Sequence, residues 1–225
     1  SWFAVGETGN PARVIQSNAK PPRGAMRYTV AIAASALAAC AIAGLSQQSV
    51  SAAVSRQAAV EHAVASERSE AIVTASASRL ELMPEVAYTK YRLNLPIEDP
   101  VREKQAESAF VDGATARGID AEFARNVIRD QMVASKMVQY DLMSRWKVSP
   151  PPVRPYKDLA KELRPEIDQA TQRLTAGLAD AVAAGIPADW HQQVQRSIDI
   201  AARTLDVAVG RAPLERSLAS VEAMT

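Results

Sequence analysis

The chain has 225 residues, enough for one domain with a sizeable core or for two small ones. Its 26 Lys and Arg against 25 Asp and Glu exclude the strong basic excess that marks a nucleic-acid or anionic-membrane partner, and a 48% hydrophobic content excludes a disordered chain. A single cysteine, Cys40, excludes an intramolecular disulfide.

Residues 1–25, with Pro21, Pro22 and Gly24, lack apolar periodicity and read as a disordered extension. Met26 and Arg27 then open an apolar run, Tyr28 to Ala43, and a positive flank before a short apolar stretch is the pattern of a secretory signal. The run is shorter than the ~20 residues that span a bilayer as a helix. Ala41-Ile42-Ala43 and Val50-Ser51-Ala52 are candidate cleavage sites, so 26–52 reads as signal peptide and cleavage region. Leu37-Ala38-Ala39-Cys40 resembles a lipoprotein box, and only lipidation at Cys40 would tie the mature chain to a membrane. The expected location is therefore periplasmic or secreted.

Alanine dominates the apolar residues, runs of β-branched residues are scarce and glycine is sparse, which predicts an all-α fold. Residues 53–69 read as a tether or a frayed helix start, and 70–225 as a single bundle of about six helices. Ile72, Leu80, Leu82, Val86 and Ala87 predict a first helix to about Asn94, stopped by Pro96. Asp99-Pro100 starts a second, to about Arg117, with Asp99 as cap and Pro100 in the first helical position. Asp120 caps a third, ending near Trp146, with Phe123, Val127, Ile128, Met132, Met137 and Tyr140 as core positions. Ser149 to Pro155 reads as a rigid, exposed connection. A fourth helix covers about Leu159 to Ala184, if Pro165 lies in its first turn. Trp190, Val194, Ile198, Ala201 and Leu205 form the apolar stripe of a fifth, closed by Gly210 and Pro213, and a short terminal helix follows.

The side-chain inventory is restrictive. His62 and His191 have no second ligand at metal spacing, and no Cys pair, phosphate loop or nucleophile elbow is present, so neither a metal nor another cofactor is expected. His191 beside Trp190 reads as a surface or packing residue. A reaction suited to this inventory is one driven by substrate conformation and by placed charge.

One ordered set of segments carries more information. It consists of Val86-Ala87-Tyr88-Thr89-Lys90, Pro96-Ile97-Glu98-Asp99-Pro100-Val101-Arg102-Glu103-Lys104, Gly118-Ile119-Asp120 and Asp130 to Tyr140. In this order and spacing it resembles the AroQ-type chorismate mutases, and with the signal segment and long C-terminal half it resembles their secreted γ subclass. The resemblance covers roughly residues 70–168. It implies an isomerase that rearranges chorismate to prephenate without a cofactor, as a homodimer with each site inside one chain. By similarity, Lys90 and Gln139 donate hydrogen bonds to the ether oxygen, and Arg79 and Arg164 bind the carboxylates with help from Ser135. Arg102 holds the anionic substrate or orders the loop. Glu103 accepts from the ring hydroxyl, near the backbone of Asp99. Two positions depart from some relatives: Gln139 stands where they carry an acid, and Ala106 where they carry Gln.

Helical geometry agrees with such a site. On one continuous helix Arg79 and Lys90 fall within about 20° of the same face, ~16 Å apart along the axis. Ser135 and Gln139 are four apart and share a face. Taken singly, Arg79, Lys90 and Arg102 read as solvated surface cations; taken with the ordered set they read as a site. A lyase that removes pyruvate from isochorismate on the same fold, and a non-catalytic exported helical binding protein, are the rival readings.

Overall fold

A computed structural model describes the backbone from Ser35 and the side chains from Val50 to Thr225. The extension expected over 1–25, the start of the expected signal and the side chain of Cys40 lie outside the described residues. The chain divides into two units, residues 1–52 and 53–225. Among the described residues no helix is long and apolar enough to cross a membrane.

The described residues form eight α-helices and no strand. They are α1 (Ser35–Glu81), α2 (Met83–Leu93), α3 (Pro100–Thr115), α4 (Ala121–Val148), α5 (Arg164–Ala184), α6 (Trp190–Ala201), α7 (Arg211–Ser217) and α8 (Ala219–Glu222). The all-α class read from the composition holds. A single π-helical turn, Leu159–Leu163, leads into α5.

The expected first helix is two helices. The break falls at Leu82, because Pro84 supplies no N–H and its ring would collide with the carbonyl of Leu80 in a continuous helix. Residues 53–69 are helical throughout, as Ala-rich sequence favours. Their side chains are exposed as far as Val64, and burial begins at Ala65. Asp120 caps α4 by accepting from the Phe123 N–H at 2.8 Å. Gly118 and Gly185 end α3 and α5 with φ of +80° and +83°, a region open to glycine without a Cβ penalty. The π-helical turn lets Pro165 stand at the start of α5, where its missing N–H leaves no bond unmade.

Helix α4 is central and packs against α2, α3, α7 and α8. Its apolar buried face is Ala124, Val127, Ile128, Ala134, Val138 and Leu142. Met137 and Tyr140, expected in the core, are 38% and 50% exposed. Each lies about 100° around the helix from a buried neighbour, Val138 or Gln139, so the face cannot bury both. Trp190, Val194 and Ile198 are buried as the stripe on α6 predicts, whereas Leu205 lies past the end of that helix and is half-buried. Gly177 of α5 lets that helix approach α1 closely; a Cβ there would sit 3.0 Å from Ile72 Cγ1.

The C-terminal helices are tied down by polar bonds as well as by Leu214, Leu218 and Val221. The Trp190 indole donates to the Val221 carbonyl at 2.8 Å. The buried Asp130 carboxylate pairs with Arg216 and accepts from the Ser220 N–H at 2.9 Å and hydroxyl at 2.6 Å. Asp130→Ala leaves these donors without their acceptor and is expected to lower stability by about 2 kcal/mol, read as an earlier denaturant midpoint. A midpoint equal to that of the parent would show that the apolar contacts alone hold α7 and α8.

Candidate active site

The site begins where α2 ends. Asn94 takes up a left-handed conformation (φ 52°), and the chain reverses through Leu95 to Asp99. Asp99 caps α3 by accepting from the Arg102 N–H at 3.0 Å, and Glu103 accepts in return from the Asp99 N–H at 3.3 Å. These reciprocal bonds fix the first turn of α3 and with it Arg102 and Glu103. The Lys90 ammonium, near the end of α2, donates to the Ile97 carbonyl at 2.5 Å and so ties the reversal to its own helix. Burial pulls the pKa of Lys90 below the ordinary lysine value, opposed by Asp99 and Glu103 and reinforced by Arg164 and Lys136.

The opposite wall is the polar part of α4. Arg79, from the last turn of α1, is only 7% exposed. Its Nη1 donates to the Gln131 carbonyl at 3.0 Å and to the Ser135 hydroxyl at 2.6 Å, while its Nε has no partner. The Ser135 hydroxyl in turn donates to the Gln131 carbonyl at 2.7 Å. Burial lowers the pKa of Arg79 to about 10, although Asp168 works the other way. The arginine is therefore charged at neutral pH, and its charge is poorly compensated. One turn on, Gln139 donates to the Ser135 carbonyl at 3.1 Å and makes a weak contact with Met83 Sδ at 3.7 Å; its buried Oε1 has no partner.

The third wall arrives through the Pro-rich connection. Asp158 caps the π-helical turn by accepting from the N–H groups of Ala160 and Lys161 at 2.7 and 2.8 Å. The turn carries Leu159 and Leu163 and delivers Arg164 as the first residue of α5.

These walls enclose a cavity of about 420 Å³. All eight residues singled out from the sequence line it: Arg79, Lys90, Asp99, Arg102, Glu103, Ser135, Gln139 and Arg164. Arg79 and Lys90 meet there even though the helix assumed to join them is broken at Leu82. Met83, Val86, Met132, Leu163 and Ile167 supply apolar lining, and Ala106 lies there too. Three charged lining residues escaped the sequence reading: Glu98, Lys136 and Asp168. Lys136 pairs with Glu103 at 3.0 Å and lies 3.9 Å from Glu98. Asp168 stands four residues after Arg164 on the same helix, a spacing that could have revealed it. Lys136 follows Ser135 directly, and neighbouring positions on a helix do not announce a shared face.

Glu98 and Glu103 are engaged with Lys136, and Asp99 is engaged in its cap. Among the described residues no carboxylate forms an ion pair with Arg79, Lys90, Arg102 or Arg164. The lining sets five cations, Arg79, Lys90, Arg102, Lys136 and Arg164, against four carboxylates, Asp168 among them, but leaves four of those cations without an ion-pair partner; with fixed donors and apolar walls this is the chemistry that receives a small organic anion. Among the described residues no cluster of His, Cys, Asp and Glu is arranged to hold a metal ion.

Residues 66–140 match the profile of the family described as chorismate mutase type II. The secreted chorismate mutase of Mycobacterium tuberculosis is 33% identical over 103 residues, which is 46% of this chain and 52% of that protein. The secreted chorismate mutase of Mycolicibacterium smegmatis is 31% identical over 120 residues, 52% of this chain and 66% of that one. The chain thus spans between about half and two thirds of the length of these curated relatives. Solved structures are matched almost in full. The chorismate mutase from Burkholderia thailandensis is 33% identical with a TM-score of 0.64, over 68% of this chain and 98% of that one. That from Burkholderia phymatum is 30% identical with a TM-score of 0.65, over 70% and 97%.

The state of Arg79 gives a test that needs no assay. Its pKa is lower in the folded chain than in the unfolded one, so its charge opposes folding below about pH 10, an opposition that fades as pH rises beyond that value. Arg79→Met is therefore expected to unfold within about 1 kcal/mol of the parent, or later, while losing any stabilisation by a dianionic ligand. A loss above about 3 kcal/mol in denaturant titration would make Arg79 a structural residue instead.

Proposed function

The chain belongs to the chorismate mutase family, and from that premise we propose that it converts chorismate to prephenate in the cavity between α2, α3, α4 and α5. The observation that carries the reading is the convergence of four cations without ion-pair partners on one cavity that also holds the amide of Gln139. The substrate is a dianion with a ring hydroxyl and an ether bridge. Its rearrangement breaks the ether C–O bond as a C–C bond forms, with no proton transferred and no atom lost. Negative charge grows on the ether oxygen in the transition state, so donors fixed at that point lower the barrier.

On this reading Arg79 and Arg164 take the carboxylates and hold the substrate in its reactive shape. Arg102 adds attraction from the first turn of α3, where the helix dipole has the same sign. Lys90 has one N–H on the Ile97 carbonyl and two more to offer the ether oxygen. Gln139 keeps one N–H on the Ser135 carbonyl; its second rests only on Met83 Sδ, a weak acceptor that an ether oxygen replaces at little cost. Ser135 acts through Arg79, since its hydroxyl hydrogen is already on the Gln131 carbonyl. Glu103 is the acceptor for the ring hydroxyl, held in place by Lys136 and by the Asp99 N–H.

We further propose that the chain is exported. The basic flank and apolar run from Met26 act as the signal on this reading, and relatives named secreted chorismate mutases support it. Residues 70–225 are then the mutase domain. A homodimer sharing no site residue between chains is the assembly implied by the family resemblance.

The test is turnover. Protein expressed from about Ser51 onward is expected to consume chorismate and yield prephenate, with Lys90→Ala slower by about 10²–10³-fold in kcat. Pyruvate release from isochorismate would move the activity to a lyase, and a folded protein turning over neither compound would leave a binding protein. The pH profile gives a second check. Gln139 does not titrate, so kcat is expected to stay level between about pH 6 and 8. The lowered pKa of Lys90 brings the alkaline decline in earlier than an ordinary lysine would. A steep fall between pH 6 and 8 would show that a titrating acid, not Gln139, supplies the second hydrogen bond.

A further inference from the structure

The Pro-rich connection between α4 and the π-helical turn has an unusual anchorage. No residue from Ser149 to Asp158 is buried, so apolar packing of its own does not hold it. Its fixed points are polar, and most fall on α2 on either side of Lys90: Glu85, Tyr88 and Thr89 before it, and after it Arg92, which donates to the Arg154 carbonyl at 3.2 Å; Lys157 pairs in addition with Glu166 of α5 at 2.9 Å. The Tyr88 hydroxyl accepts from the Arg154 N–H at 2.8 Å and lies 2.9 Å from the Arg154 carbonyl and 3.2 Å from that of Pro152, either of which can take its hydrogen. The Arg154 guanidinium folds back over the Tyr88 ring, 4.0 Å from its centroid, and makes a two-pronged pair with Glu85 at 2.6 and 2.9 Å. Thr89 then donates to the Lys157 carbonyl at 3.0 Å. The ring of Tyr88 is itself buried and meets Trp146 of α4 edge-on, so the anchor is rigid.

The consequence concerns two residues distant in sequence. Lys90 follows Tyr88 and Thr89 on α2, and Arg164 follows the end of the strap by one π-helical turn. The same short piece of α2 therefore presents one cavity cation directly and sets, through the strap, the approach of the other. We propose that Tyr88 and Arg154, with Glu85, are positioning residues for Arg164, fixing its separation from Lys90 across the substrate. The proposal rests on the chorismate mutase reading and adds to it residues that line no part of the cavity.

The experiment uses the same protein, steady-state kinetics on chorismate and a double-mutant cycle. Tyr88→Phe keeps the ring under Arg154 and removes only the hydroxyl; Arg154→Ala removes the clamp on Glu85. Each is expected to lower kcat/KM about tenfold, chiefly through KM, with helicity and denaturant midpoint close to those of the parent. Arg154→Lys, which keeps the charge opposite Glu85, is expected to recover part of the loss. In an Arg164→Ala background, assayed at high enzyme concentration, Tyr88→Phe is expected to cost nothing further, because the group it positions is gone. Unchanged kinetics in both single variants, or an equal loss with and without Arg164, would overturn the proposal. A parent that leaves chorismate untouched would overturn the reaction itself, and the role of the strap in that reaction with it.

Discussion

A guanidinium almost wholly removed from water is the constraint around which this domain is arranged. Arg79 enters from the end of α1, and α4 answers it with the Gln131 carbonyl and the Ser135 hydroxyl. Neither partner is charged, so the arginine is held in place without being neutralised. A core built only for stability would bury a leucine there. Keeping a cation with an unpartnered Nε makes sense where an incoming anion completes the pair. The side chain of Gln131 points the other way, to Ser76 on α1 and the Ser217 carbonyl. One residue thus links the floor of the cavity to α1 and to the C-terminal helices.

Polarity on the inner face of α4 makes the same point. Gln131, Ser135 and Gln139 recur at four-residue spacing on a helix whose other buried positions, Asp130 apart, are apolar. The first supports Arg79, the second relays it, and the third offers a weakly engaged N–H to the cavity. A neutral amide in the last position keeps its donor at every pH of physiological interest, whereas a carboxylic acid would donate only when protonated.

Much of this was legible in the sequence. The caps at Asp99 and Asp120 and the glycines that end α3 and α5 are signals written in one or two residues, and each determined a boundary. The eight candidate site residues converge because each sits at a fixed helical phase relative to such a boundary. The sequence misleads where one local rule outweighs another. The apolar spacing of the first helix continues past Pro84 and predicts no break, yet proline chemistry divides it at Leu82. Met137 and Tyr140 fit an apolar stripe, but α4 has room for only one inward face. The strap could not be read from the sequence at all. Its bonds join residues more than sixty positions apart, and no periodicity encodes a tyrosine hydroxyl meeting a backbone N–H across a gap of that length.

The C-terminal helices have a bearing on timing. Leu214, Leu218 and Val221 are completely buried, and the Val221 carbonyl and Ser220 N–H satisfy polar groups on α6 and α4. A nascent chain not yet extended through Leu214 to Val221 leaves apolar side chains of α4 uncovered and the Asp130 carboxylate without Arg216 and Ser220. Stable closure of the core must therefore wait until synthesis has reached this segment, and shorter intermediates stay loosely packed.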